Sequence, residues 1–252
     1  MFETGLVSVS FRQEQPETII AAVKQAGLSG IEWGGDIHVP CGDILTAQKV
    51  GNMTRDAGLK VMAYGSYYRL GMETADKPAF QEVLKTTEAL GAPVIRVWAG
   101  TAGSVKTAPE ERRKIVAEAR KIAQAAAEKQ MTVTLECHHD TLTDRWESAL
   151  RLLGEVGHPN LKMYWQPNQY LTFADNKEAA EQLAAVTINL HVFQWDSQKK
   201  YPLADGTANW QEYLEIFRNT GKSYGLLLEF MHDDRLETLQ ETAATLKFWL
   251  GK

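Results

Sequence analysis

The sequence has little cysteine: two in 252 residues, Cys41 and Cys137, far apart and outside any CxxC. A disulfide framework is therefore excluded, and a reducing cytoplasm is the simplest expectation. No apolar run approaches the ~20 residues that cross a bilayer. The opening "MFETGLVSVSFR" lacks the basic-then-apolar order of a secretory leader. A basic excess is also missing: the formal net charge is −5, with Lys and Arg spread along the chain, which argues against a nucleic-acid partner. No Ser/Gly-rich linker or charge block divides the chain, so residues 1–252 read as one domain. Hydrophobic and charged contents of 44% and 23% are those of a soluble globular protein long enough to bury most of its unfolded surface.

What is present is an alternation. Short apolar or β-branched runs stand at 5–11, 30–33, 60–65, 93–100, 131–136, 161–165, 186–193 and 225–230. They recur roughly every 30 residues with helical patterns between them, the spacing of successive β–α units. Pro16 suits a first helical turn, Asp43 an N-cap, and Gly27, Gly58 and Gly221 fit just past helix ends. Thr107 with Glu110 has capping-box spacing, and Thr143, Asn209 and Asp234 are expected to open later helices. Eight such units predict an α/β fold, a single-domain (β/α)₈ TIM barrel. A doubly wound sheet normally carries a Gly-rich turn after its first strand, and "VSVSFRQEQP" has none.

In such barrels the site lies at the C-terminal strand ends. Those ends collect Arg12, Glu32, Trp33, His38, Tyr67, Arg69, Arg96, Trp98, Glu136, His138, Trp165, Gln166, Gln169, His191, Trp195 and Glu229. Burying so many polar groups without partners costs kilocalories each, so a site explains them better than packing does. Glu136, His191 and Glu229 each follow an apolar strand ("TVTLE", "TINLH", "GLLLE") that aims them into the mouth. Two carboxylates and an imidazole suit Mn²⁺, Mg²⁺, Co²⁺ or Zn²⁺. The aromatic residues Trp33, Tyr67, Trp98, Trp165 and Trp195 can cover the apolar faces of a sugar, although Trp also fills cores. Arg12, Arg69 and Arg96 can hold a phosphate or carboxylate, or simply pair with acids such as Glu32 and Asp36. His38 and His138 are expected substrate hydrogen-bonders.

"LECH" at 135–138, "LH" at 190–191, "LLLE" at 226–229 and "YPLADGTANW" at 201–210 resemble, in order and spacing, motifs of the xylose-isomerase-like TIM barrels. That sugar phosphate isomerase/epimerase superfamily also includes endonuclease IV. The resemblance covers nearly the whole chain. It implies one divalent ion held by Glu136, His191 and Glu229, with the strand-6 aspartate of the family replaced by Gln166 and a nearby histidine by Gln169. The usual aspartate after the strand-7 histidine is replaced by Gln194.

The resemblance implies a metal-dependent isomerase or epimerase of a sugar or sugar derivative. Glu136 and Glu229 would move a proton next to a carbonyl from opposite sides of the substrate. Arg12, Glu32, Trp33, His38, Tyr67, Arg69, Arg96, Trp98, His138, Trp165, Gln169 and Trp195 are the expected substrate contacts. Two alternatives stand beside it. One is a lyase or hydrolase acting on keto-sugars or sugar acids; the other is a non-catalytic carbohydrate-binding barrel whose metal site has decayed at Gln166. The expected partner is a small carbohydrate, with no membrane, and self-association as a homo-oligomer is left open.

Overall fold

The computed structural model describes residues 1–72 and 77–251. Eight strands, β1 (Phe2–Val7), β2 (Gly30–Gly34), β3 (Lys60–Arg69), β4 (Val94–Trp98), β5 (Thr132–Glu136), β6 (Leu161–Trp165), β7 (Thr187–Val192) and β8 (Tyr224–Leu228), pair in parallel in chain order. β8 returns to β1, and the barrel closes. Around it lie α1 (Pro16–Gln25), α2 (Ile44–Asp56), α3 (Phe80–Leu90), α4 (Pro109–Ala127), α5 (Trp146–Val156), α6 (Phe173–Leu183), α7 (Thr207–Asn219) and α8 (Leu239–Trp249). The expected α/β TIM barrel is the observed fold.

Side chains alternate between two environments along each strand. Those turned outward pack under the helices in one large apolar core. Those turned inward form a smaller cluster around Val7, Met62, Val94, Tyr164 and Leu227. Met62 has room there because three neighbours lack side chains. A Cβ at Gly5, Gly30 or Gly225 would stand 2.5, 2.7 or 3.0 Å from Met62 atoms. Above this plug the inward positions become polar: Glu32, Arg96, Glu136, Tyr164 and His191 are all buried.

Helix ends follow local chemistry only in part. Pro16 opens α1, and the Asp43 carboxylate accepts from Thr46 N at 3.0 Å at the start of α2. Gly27, Gly58 and Gly221 all take positive φ just past their helices. The capping box expected at Thr107 does not form. Pro109 starts α4, and the Thr107 hydroxyl donates instead to the carbonyls of Ala102 and Gly103. Thr143 is likewise spent elsewhere, donating to the Glu136 carbonyl, and α5 begins at Trp146. Asn209 lies inside α7, which begins at Thr207, and Asp234 bonds Lys200 well before α8. A capping box does occur at Thr172 and Asp175 of α6, where the sequence reading placed none. The first strand also ends early: residues Ser8–Phe11 form a 3₁₀ turn, whose Ser8 hydroxyl accepts from Gly34 N at 2.9 Å.

Trp33 and Trp165 alternate outward next to the inward Glu32 and Gln166. Trp33 is fully buried and donates to Thr54 of α2, while Trp165 packs edge-on against Trp210 and Tyr213 and tilted against Phe217, all on α7. Their expected place in the substrate site is therefore corrected: both are core residues. Trp165→Ala should lower stability by about 3–5 kcal/mol. Urea unfolding should show a smaller loss for Trp98→Ala, because Trp98 is only half-buried at the mouth.

Candidate active site

Four inward side chains meet at the C-terminal end of the barrel. Glu136 ends β5, Gln166 directly follows β6, His191 lies in β7 and Glu229 directly follows β8. One ligand atom each from Glu136, His191 and Glu229 falls within 4.8 Å of the others. That is close to the span of two metal–ligand bonds of about 2.0–2.3 Å each. His191 Nδ1 is the converging nitrogen: Gln166 Oε1 lies at 2.8 Å, and oxygens of Glu136 and Glu229 each lie at 3.6 Å. The donor set is hard-to-borderline, deeply buried and negatively charged, so these residues fit a divalent ion. Gln166 Oε1, beside His191 Nδ1, adds a neutral oxygen to the same set.

Beneath this set runs a second polar layer. Arg96 Nε donates to Glu32 Oε1 at 2.7 Å, and Arg96 Nη1 donates to Glu136 Oε2. Tyr164 Oη donates to Glu32 Oε2 at 2.5 Å, and Trp98 Nε1 donates to Glu136 Oε2 at 2.6 Å. Burial opposes ionisation of Glu32, but Arg96, His191 and Tyr164 outweigh it and hold the carboxyl at about 2. For Glu136 burial again opposes ionisation, and Arg96 and His191 keep it well below the carboxylate range. Burial and then the charge of Glu136 raise Glu229, against the pull of His191. Burial disfavours the His191 cation, yet Glu229, Glu136 and Glu32 push the imidazole up to about 10. The two carboxylates of the expected pair are thus unequal. Glu136 is tied down by two donors, whereas Glu229 has no hydrogen bond to its carboxylate among the described residues.

The cavity above holds about 440 Å³. Arg12, Tyr67, Arg96, Trp98, His138, Gln169 and Trp195, expected from sequence, line it together with Glu136, Gln166 and Glu229. His191 lies just below the surface, fully buried. His138 Nδ1 donates to the His139 carbonyl at 2.7 Å, since that partner can only accept. Nδ1 is therefore a donor, and Nε2 has no hydrogen bond among the described residues. Arg12 pairs with Asp36 at 2.8 Å and donates to Tyr67 Oη at 2.7 Å, which stands edge-on to Trp98.

Three further expected contacts lie elsewhere. His38 is buried on Ser8 and the Glu14 carbonyl. Arg69 stacks over Trp98 and donates to the Gly100 carbonyl without lining the cavity. Glu32 is sealed below the floor. Sequence reasoning missed Tyr164, whose position two residues before Gln166 puts it on the same inner face. The cavity is also lined by His139, Lys199, Lys200, Tyr170 and Phe230. Tyr67 and Phe230 hold positive φ of 58° and 52°, a conformation costly for non-glycine residues and frequent at functional sites.

Among curated proteins, the chain is similar to 3-dehydroshikimate dehydratase of Bacillus anthracis, 28% identical over 86% of this chain and 87% of that one. Its fold superposes on the crystal structure of the probable 3-DHS dehydratase AsbF of Bacillus anthracis, with a TM-score of 0.79 and 24% identity, covering 98% and 99% of the two chains. It also superposes on D-psicose 3-epimerase of Clostridium cellulolyticum H10, with a TM-score of 0.75 and 16% identity, covering 99% and 98%. No described helix is long and apolar enough to cross a membrane. Residues 20–250 match the family described as xylose isomerase-like TIM barrel, and the chain belongs to that family.

Proposed function

We propose that this protein is a divalent-metal-dependent lyase that removes water from a small hydroxy-keto acid. The inequality of Glu136 and Glu229 carries this reading. Epimerisation between two faces asks for a competent acid/base group on each, and Glu136 is held by Arg96 and Trp98. Dehydration next to a carbonyl needs only one such group, which first takes the carbon-bound proton and then returns it to the departing hydroxyl. His138 lines the cavity, with Nδ1 on the His139 carbonyl and Nε2 left to take up and return this proton. An ion held by Glu136, Gln166, His191 and Glu229 would polarise the carbonyl and stabilise the negative charge that develops on its oxygen.

The rim favours an acid. Lys199, with Arg12 and Lys200 that pair with Asp36 and Asp234, brings positive charge to a cavity wall that also holds Asp196, and the aromatic side chains of Trp98 and Tyr67 line it. The similar Bacillus anthracis protein is named for 3-dehydroshikimate, a cyclic hydroxy-ketone bearing a carboxylate. That relative moves the reading from the isomerase expected from sequence towards a lyase. The sugar epimerase remains the second reading, favoured by the raised, unbonded Glu229 facing Glu136.

The test is to incubate the Mn²⁺-loaded protein with 3-dehydroshikimate and follow the absorbance of a conjugated product. In parallel, ketohexoses are incubated in D₂O. Product from the keto acid supports the lyase; deuterium entering a ketose while the acid stays intact overturns it. His138→Gln should lower kcat by about 10²–10⁴-fold while Mn²⁺ affinity is retained.

A pH dependence follows from the protons held at the donor atoms. His191 at about 10 and the raised Glu229 both carry protons that an ion must displace. Mn²⁺ affinity should therefore rise with pH through about 7, where Glu229 gives up its proton, and on towards about 10, where His191 does, with protons released on binding. Calorimetry in buffers of different ionisation enthalpy measures that release.

A further inference from the structure

We propose that Glu32 is a positioning residue of the metal site: it orients His191 through Nε2 and supplies the negative charge that Gln166 withholds. The inference rests on the metal reading above and assigns Glu32 a role distinct from substrate contact. His191 presents Nδ1 to Gln166, Glu136 and Glu229, so Nδ1 is the nitrogen on the ligand side. Nε2 points the opposite way, is buried, and makes no hydrogen bond among the described residues. The oxygen facing it is Glu32 Oε2, at 3.5 Å, slightly beyond hydrogen-bond range. An imidazole that ligates through one nitrogen carries its proton on the other, and a carboxylate accepting that proton fixes the ring and raises its basicity. A movement of a few tenths of an ångström on ligation completes the bond.

The surroundings hold Glu32 in this position. It is fully buried, with Oε1 on Arg96 and Oε2 on Tyr164 Oη. β3 leaves it space: a Cβ at Gly65 would stand 2.8 Å from Glu32 Oε1 and 2.6 Å from Arg96 Nη2. Charge gives a second, independent reason. Among the described residues the buried carboxylates are Glu32, Glu136 and Glu229, and the buried guanidinium is Arg96. Two negative charges are left over, which one divalent ion neutralises. An aspartate at position 166 beside Glu32 would leave the loaded site with a net charge, and uncompensated buried charge is costly. Gln166 is therefore the neutral counterpart of Glu32 and not a mark of decay.

Chelator-stripped native protein, Glu32→Gln and the Glu32→Gln/Gln166→Asp double variant are titrated with Mn²⁺ by calorimetry, with thermal melts as the fold control. Glu32→Gln should weaken binding by about 10–100-fold, and the double variant should recover most of that loss. Glu32→Gln binding within about threefold of native, or a loss that Gln166→Asp does not repair, overturns the proposal. Native protein that takes up no ion overturns the metal reading itself, and this inference with it, so the two failures are distinguishable. Should Glu32→Gln not fold, ¹⁵N-histidine NMR of the Zn²⁺-loaded native protein decides. A protected Nε2–H with Nδ1 ligated supports the role of Glu32, and ligation through Nε2 overturns it.

Discussion

Three carboxylates packed beneath one cavity with a single guanidinium between them set the constraint that organises this barrel. Arg96 bonds Glu32 on one side and Glu136 on the other, all three side chains nearly or fully buried. Buried ions are tolerable only when their hydrogen-bonding capacity is filled, and the surrounding residues fill it. Tyr164 and Trp98 donate to the two carboxylates, and glycine at 65 keeps β3 clear of the pair. What remains unbalanced is the upper set, His191 and Glu229, where protons or a cation must supply the missing positive charge.

That division gives the molecule a rigid floor and an adaptable mouth. The floor residues stand on strands, each clamped by parallel neighbours and by the Met62 plug below. The mouth is built from strand ends and loops, with Tyr67 in the irregular end of β3 and Phe230 after β8 held in strained backbone and Lys200 tied across to Asp234. In barrels of this fold the C-terminal strand ends and the loops beyond them carry the site, and variation of the loops changes the chemistry they support. Neighbours as unlike by name as a dehydratase and an epimerase share the barrel, which is what fold without loop identity allows.

Residues at the ends of the strands could be found from sequence because apolar runs and chain spacing are local properties. Their facing was harder to read. Glu32 and Trp33 are adjacent, as are Trp165 and Gln166, and the two-residue period forbids both members of a pair from entering the barrel. Applying that period strictly would have removed both tryptophans and recovered Tyr164. The helix starts failed for a different reason: Thr107 and Thr143 have the right chemistry for caps, but nearby loop carbonyls compete for their hydroxyls.

The sequence by itself determined the eight-fold alternation, the absence of membrane-spanning runs, and the Glu136, His191 and Glu229 trio, because each is written in short-range pattern. Tertiary structure alone decided that Arg96 serves the protein's own acids, that Glu136 is restrained and Glu229 is not, and that Glu32 stands behind His191. Those outcomes depend on distances between side chains as far as 159 residues apart in the chain, from Glu32 to His191. Such distances are set by barrel closure and register, which no local window contains.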